Sequence, residues 1–161
     1  MYLNREGITM SLKIVEKNQY PPLEGKFNLK ILDRQGNLVK VYSDPNLIVT
    51  GSKAILATLL GGTGLPISKI GLGTGTGAAD IANTTLTSPD YLAFVSVDYP
   101  ETAVVRFNWY LGYDQLVGKA ITEFGLFTSA NTLFSRRVYS AINKNADMAF
   151  EGSWSIRFYT A

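Results

Sequence analysis

Residues 121–127 read Ile-Thr-Glu-Phe-Gly-Leu-Phe, and after a short polar turn the chain returns with Leu-Phe-Ser-Arg at 133–136. Both runs are rich in the β-branched and aromatic residues that favour strands. The turn at 129–131 has a length that commonly joins two antiparallel strands. The stretch therefore predicts a central hairpin, with strands at 120–128 and 132–140, around which we expect the rest of the chain to be organised.

Period-2 alternation predicts several further strands around this hairpin. Residues 27–31 alternate apolar and polar side chains, and with 38–42 they predict a second hairpin across a glycine-containing loop. Strands are also expected at 67–72, 91–97, 105–111 and 153–160, with turns at 44–45 and near 98–101. The alternation assigns four large aromatic residues to core faces: Phe107, Trp109, Trp154 and Phe158.

One helix is predicted between these strands, at 53–60. Ile55 with Leu59, and Leu56 with Leu60, stand four residues apart, as on one helical face. Thr50 or Ser52 is expected to cap its start, and Gly61-Gly62 to end it in a left-handed conformation.

About eight short strands and one short helix predict a mainly β fold, specifically an antiparallel β-sandwich. We expect residues 26–161 to form a single domain, since a chain of this length can bury roughly 70% of its unfolded surface. Residues 1–25 predict an extended N-terminal arm and linker, with a short strand at 12–16 and two prolines at 21–22. Such an arm either lies on a neighbouring subunit or is mobile, and mobility is the commoner case.

Composition argues against several classes of function. The chain has no histidine and no cysteine, which removes the commonest general base, thiolate chemistry and the commonest metal ligands. The net charge is only +2, with scattered basic residues, so nucleic acid is not an expected partner. No run approaches the roughly 20 apolar residues of a membrane span, and none resembles a signal peptide, so we expect no membrane insertion.

A glycine-rich loop follows the strand at 67–72, with glycines at Gly71, Gly73, Gly75 and Gly77. A dinucleotide fingerprint would need G-x-G-x-x-G opening a helix, but Thr76 stands where the third glycine should be. Alternate glycines after a strand more often indicate a tight backbone excursion or a close approach of subunits. We therefore expect no cofactor here.

The spacing of the carboxylates indicates neither a catalytic pair nor a calcium-binding loop. We therefore expect no enzyme activity and no bound metal. Glu123 allows two interpretations. It is either a solvent-facing carboxylate or a semi-buried acid paired with Arg106, Arg136 or Arg157, which would fix strand register or a subunit joint.

Nine tyrosines, eight phenylalanines and two tryptophans would also suit a glycan-binding surface. Packing is the more frequent role of such residues, because alternation places the largest of them in the core. Some tyrosines, Tyr110 among them, are expected at the surface or an interface.

An ordered set of segments over residues 44–160 resembles the tail-collar and tail-fibre attachment domains of tailed bacteriophages. The set comprises 46–51 before a small-residue helix, the strand and glycine run at 67–75, a polar loop ending near 84–86, the pair 121–127 and 133–136, and Lys144 before the last strand.

The resemblance implies a structural virion protein located in a phage tail or neck and assembled in the host cytoplasm. It would act by homo-oligomerisation, as a trimer or hexamer, and by docking to other virion proteins. With no shaft or receptor-binding tip after Tyr159, we expect a short adaptor of the fibre, collar, neck or baseplate. A carbohydrate-binding or host-receptor-binding module is the alternative. The candidate interface residues are Gly71, Gly73, Gly75, Arg106, Tyr110, Glu123, Gly125 and Arg136.

Overall fold

A computed structural model describes residues 23–159. Its strands are β1 (Leu23–Asp33), β2 (Leu38–Ile48), β3 (Ile67–Gly73), β4 (Asp90–Ala93), β5 (Ser96–Glu101), β6 (Val104–Leu111), β7 (Ala120–Thr128), β8 (Leu133–Asn143) and β9 (Met148–Phe158). One short helix, α1 (Ser52–Leu60), lies between β2 and β3.

All nine strands belong to one sheet, in the order β4-β3-β7-β8-β2-β1-β9-β6-β5. Every pair in it is antiparallel. The sheet curls into a half-barrel. The mainly β class and the short helix are thus confirmed, whereas a sandwich is not, because hydrogen bonds run through all nine strands.

The joint between β2 and β8 divides this sheet into two halves. It consists of only two residue pairs, Leu47 with Arg136 and Ile48 with Ser135. On one side lie β2, β1, β9, β6 and β5, and on the other lie β8, β7, β3 and β4. Because so few pairs hold the joint, the two halves can fold toward each other across it.

Aromatic side chains fill the space between the two halves. The ring of Phe124, from β7, lies 4.8 Å from that of Phe27 on β1 and 5.9 Å from that of Trp109 on β6. The ring of Trp154 on β9 lies 5.0 Å from Phe27. Phe107, Trp109 and Trp154 are buried as predicted, but the assignment of Phe158 to the core is wrong, since 42% of it is exposed.

Two predicted turns lie within strands instead. β2 continues through Asp44 and Pro45, and β5 contains the predicted turn around Pro100. Proline lacks an N–H and is tolerated in strands that have a free edge. Within residues 23–159 both stretches have such an edge, because β5 ends the sheet and β2 pairs with β8 only at Leu47 and Ile48.

The strand predicted at 91–97 is also two strands. It is interrupted at residues 94–95, where the chain passes from the β4 edge of the sheet to the β5 edge. The helix begins without the predicted side-chain cap, because Gly51 occupies the N-cap position. At its other end Gly62 has φ +73°, the left-handed conformation expected there.

The predicted linker ends earlier than expected. β1 begins at Leu23, so residues 23–25 pair with β9 instead of belonging to the linker. The rest of the predicted arm, including the strand expected at 12–16, lies outside the described residues.

Candidate functional site

Glu123 is completely buried on β7, and both of its carboxylate oxygens are bonded. Oε1 accepts hydrogen bonds from the backbone N–H groups of Gly75 at 2.8 Å and Thr87 at 2.6 Å. Oε2 accepts from Arg136 Nε at 2.8 Å and lies 2.7 Å from a second guanidinium nitrogen of Arg136. The solvent-facing interpretation is therefore wrong, and Arg136 is the partner among the three arginines considered.

Arg136, from β8, carries the same network into the polar loop. Its terminal nitrogens donate to the carbonyl of Ala78 at 3.1 Å, the side chain of Asn83 at 2.7 Å and the carbonyl of Gly77 at 3.0 Å. We call Glu123 and Arg136 together the loop clamp. Between them they bind both ends and the middle of the segment 74–88, which contains no helix or strand.

The glycines are needed for this close packing within the chain. A Cβ atom at Gly73 or at Gly75 would lie 2.6 Å from Glu123 Oε1. Gly71 and Gly125 face each other in register between β3 and β7. The ring of Phe127 lies over both, so that a Cβ would meet it at 2.7 Å and 3.1 Å respectively. Gly71, Gly73 and Gly75 thus make room within the chain for one carboxylate and one ring, whereas Gly77 has no such contact.

Gly73→Ala is expected to lower the free energy of unfolding by about 1–3 kcal/mol, because the added methyl group overpacks a buried site. It would also lie 2.8 Å from the backbone carbonyl oxygen of Thr87, which cannot rotate away. Gly77→Ala is the matched control, since nothing lies within 4 Å of its Cβ position. Urea denaturation of both variants measures the difference, and equal midpoints would contradict this role of Gly73.

Arg106 and Tyr110 lie elsewhere, on β6, so the candidate residues do not form one site. Arg106 donates to both carboxylate oxygens of Asp98, at 3.0 and 3.1 Å, and the pair is about 40% exposed. The hydrogen bond from Arg106 holds the pKa of Asp98 below its usual range. Arg157, the third arginine considered, pairs with Glu101 at 2.8 Å.

A row of small polar side chains crosses the outer face of the half-sheet formed by β2, β1, β9, β6 and β5. Ser43, Asn28, Ser153, Asn108 and Ser96 occupy consecutive register positions on five adjacent strands. Most neighbours in it are hydrogen-bonded, for example Ser43 to Asn28 at 2.7 Å and Asn108 to Ser96 at 3.0 Å. We call it the polar row. Beside it lie Tyr110 and a shallow depression of about 640 Å³.

Two lysines, Lys144 fully buried and Lys119 largely buried, were not recognised in the sequence as structural groups. Lys144 is 1% exposed and donates to the carbonyls of Tyr113 at 2.7 Å and Asn145 at 2.9 Å. Burial lowers its pKa. Lys119 donates to the carbonyls of Leu72 and Ser88, each at 2.9 Å. Lys119 also pairs with the carboxylate of Asp90. No local pattern marks either lysine, because apart from the neighbouring Asn145 their partners come from segments distant in the chain.

An apolar groove lies between α1 and the start of β3 on one side and β5, β6 and β9 on the other. Its eleven lining side chains are all apolar or aromatic. They include Leu59, Ile67, Val97, Tyr99 and Phe158. Tyr99 is 77% exposed, so a large aromatic side chain stands at the rim with little protein around it.

The loop clamp is arranged for holding the chain together, since its carboxylate is saturated and sealed from solvent. Among residues 23–159 no group of three or more acidic side chains is placed to hold a metal ion. In the same range no helix is long and apolar enough to cross a bilayer. No family model, curated protein or solved structure matches the chain.

Proposed function

We propose that the chain is a structural component of a tailed-phage particle, an adaptor of the tail fibre, collar, neck or baseplate. The observation that carries this proposal is the loop clamp. It joins the glycine run, the polar loop and the central hairpin, which are segments of the ordered set resembling attachment domains, into one rigid unit. We propose that this unit acts as a structural scaffold, and we propose no enzymatic role for it.

The edges of the sheet support assembly as the mode of action. Among the strands of residues 23–159, β4 and β5 each pair on one side only, and exposed strand edges are templates for pairing with another chain. Large apolar residues are exposed close to them, including Val95 and Tyr99. Exposed apolar surface of this kind marks interaction sites. We infer that these edges dock to copies of the chain and to other virion proteins.

The sandwich expected from the sequence belongs to this proposal as its structural form. The two halves of the curled sheet face each other through Phe27, Trp109 and Phe124, as the two layers of a sandwich do. In this view the joint between β2 and β8 is the corner where the chain passes from one layer to the other.

The full chain is expected to be a trimer or hexamer, which multi-angle light scattering on the purified protein measures directly. Repeating the measurement over a hundredfold dilution separates a stable ring from weak self-association. A protein that stays monomeric at the highest concentration would contradict the assembly role. Genes for tail, portal or baseplate proteins beside this gene would support the virion location, and metabolic neighbours alone would count against it.

A glycan-binding module is the second candidate, and the polar row favours it. Its amide and hydroxyl groups, with Tyr110 and the depression beside them, provide hydrogen-bonding groups and an aromatic face. Calorimetry with cell-surface polysaccharides tests this alternative. Binding that is lost in Tyr110→Ala and in Asn108→Ala would favour it, and binding by a monomer would favour it over the assembly role.

A further inference from the structure

The curled sheet has an open side, and the apolar groove is that opening. On one side of the groove lies β5, which among the described strands pairs with β6 alone. On the other side of the groove lies the start of β3. The pairing of β3 with β4 begins at Lys69, so Ile67 has no partner on β4. The groove therefore separates two strand edges of the same sheet, at the place where one more strand would connect them.

The side chains in the opening fit an apolar strand better than a polar ligand. Val97 and Tyr99 point from β5 into the groove, while Asp98 between them pairs with Arg106 on the other face. Val105 and Phe158 extend the lining, and no charged residue contributes to it. The volume is about 340 Å³, which is within the ~300–1,000 Å³ range of binding clefts, so this is a recess and not a surface dimple.

The chain itself supplies a segment of matching pattern. Residues 8–14 read Ile-Thr-Met-Ser-Leu-Lys-Ile, with apolar residues at every second position and polar residues between them. This is the pattern of a strand with one buried face. Its four apolar residues are Ile8, Met10, Leu12 and Ile14. We call residues 8–14 the arm strand; this window begins and ends earlier than the strand expected from the sequence at 12–16.

The point where the arm joins the described structure lies at the groove. Leu23, the first residue of β1, pairs in register with Phe158, which lines the groove. Pro21 and Pro22 immediately precede Leu23, and consecutive prolines favour an extended backbone. A return into the same groove would require the chain to reverse its direction within residues 15–20, between the arm strand and the two prolines.

We propose that the arm strand of one copy occupies the apolar groove of a neighbouring copy, pairing with the edge of β5 and closing the open side of the sheet. Eight residues, 15–22, connect the arm strand to β1 and span up to ~26–29 Å when extended. Strand addition of this kind takes affinity from backbone hydrogen bonds and specificity from alternate side chains. The inference rests on the proposed function, because it requires copies of the chain to assemble.

Disulfide trapping in the full chain tests this exchange. Because the chain has no native cysteine, only the introduced cysteines can form a disulfide. Two single-cysteine variants with tags of different size, Met10→Cys and Val97→Cys, are co-expressed and oxidised. We expect a covalent heterodimer on a non-reducing gel, at least fivefold above the pair Met10→Cys with Ser153→Cys, whose second cysteine lies on the polar row. Equal yields from the two pairs would overturn the proposal.

A cysteine scan along the arm gives the second readout. Among the Ile8, Met10, Leu12 and Ile14 variants, the one or two opposite position 97 should cross-link to Val97→Cys more than the adjacent Thr9, Ser11 or Lys13 variants do. A strand places alternate side chains toward the groove, and a disulfide needs Cα atoms within ~7 Å of each other. Uniform cross-linking along the arm would contradict strand pairing. A disulfide formed only within one chain, in a variant carrying both cysteines, would contradict exchange between copies.

Light scattering on the wild-type chain separates failure of this inference from failure of the proposed function. An oligomer whose arm does not cross-link to the groove overturns the exchange and leaves the assembly role standing. A monomer at all concentrations overturns both.

Discussion

Glu123→Ala is expected to lower the free energy of unfolding by roughly 3–5 kcal/mol, because removing one member of a buried ion pair leaves the other charge unpaired. Arg136 would keep its bonds to Gly77, Ala78 and Asn83 but lose the one anionic partner it has in the described part of the chain. Two backbone donors of the polar loop, at Gly75 and Thr87, would lose their acceptor as well. Urea denaturation followed by tryptophan fluorescence measures the change.

The matched control is Asp98→Ala, which breaks an arginine–carboxylate pair that is likewise held by two guanidinium nitrogens but lies on the exposed face. Surface pairs contribute little because water screens both charges. We expect its urea midpoint to stay close to that of the wild type. If the two variants were equally stable, burial of Glu123 would not have the energetic consequence argued here.

A double-mutant cycle separates the clamp from simple loss of packing. Glu123→Leu and Arg136→Met remove the two charges, singly and together, while retaining apolar volume. The loss of stability in the double variant is expected to be smaller than the sum of the losses in the two single variants, because the double variant leaves no unpaired buried charge. Additive effects would contradict a direct energetic coupling. We also expect the loop at 74–88 to become sensitive to subtilisin in each single variant, since the loop depends on both residues.

The central hairpin could be predicted from sequence because its information is local. β7 and β8 are adjacent in the chain, and their apolar residues and turn length suffice to pair them. Local patterns also allowed Arg136 to be named among the partners of Glu123. They could not select it among three arginines, because the choice depends on which strand lies next to β7 and on a loop that comes almost 50 residues earlier.

The curl of the sheet could not be predicted for the same reason. It depends on β2, which pairs along most of its length with β1 and at its last two positions with β8. Nothing in the alternation of 38–48 marks that change of partner. The interruption at 94–95 was missed because its residues, Phe94 and Val95, have high strand propensity, and only the tertiary structure directs the chain across to the other edge.

The exposure of Phe158 illustrates a further limit. Alternation identifies which face of β9 it lies on, the face of Trp154 and Ile156, and that assignment agrees with its contact with the groove. Alternation does not say where along the strand the core ends. Phe158 is the last residue of β9 and lies beyond the closed part of the sheet, at the open side.

Phe124→Ala is expected to cost about 3–5 kcal/mol of unfolding free energy, the usual range for removing a fully buried phenylalanine ring. Phe124 is 0% exposed and is the aromatic residue through which β7 contacts Phe27 and Trp109 in the opposite half of the sheet. The ladder between β2 and β8 has only two residue pairs, so this ring contact is a principal connection between the halves, beside the side-chain bonds of Arg137 and Tyr139 to Asp44. Loss of the ring should therefore reduce the cooperativity of unfolding as well as its midpoint.

Phe158→Ala is the control of equal chemistry at the open side of the sheet. Its ring is partly exposed, so we expect a smaller loss of stability and a larger effect on arm cross-linking at Val97. Calorimetry distinguishes the two variants. Phe124→Ala should broaden the transition and lower the ratio of van't Hoff to calorimetric enthalpy, because the two halves would then unfold less as one unit. A sharp two-state transition at an unchanged midpoint in Phe124→Ala would mean that the halves are held together by other contacts, and the role assigned to the ring would be wrong.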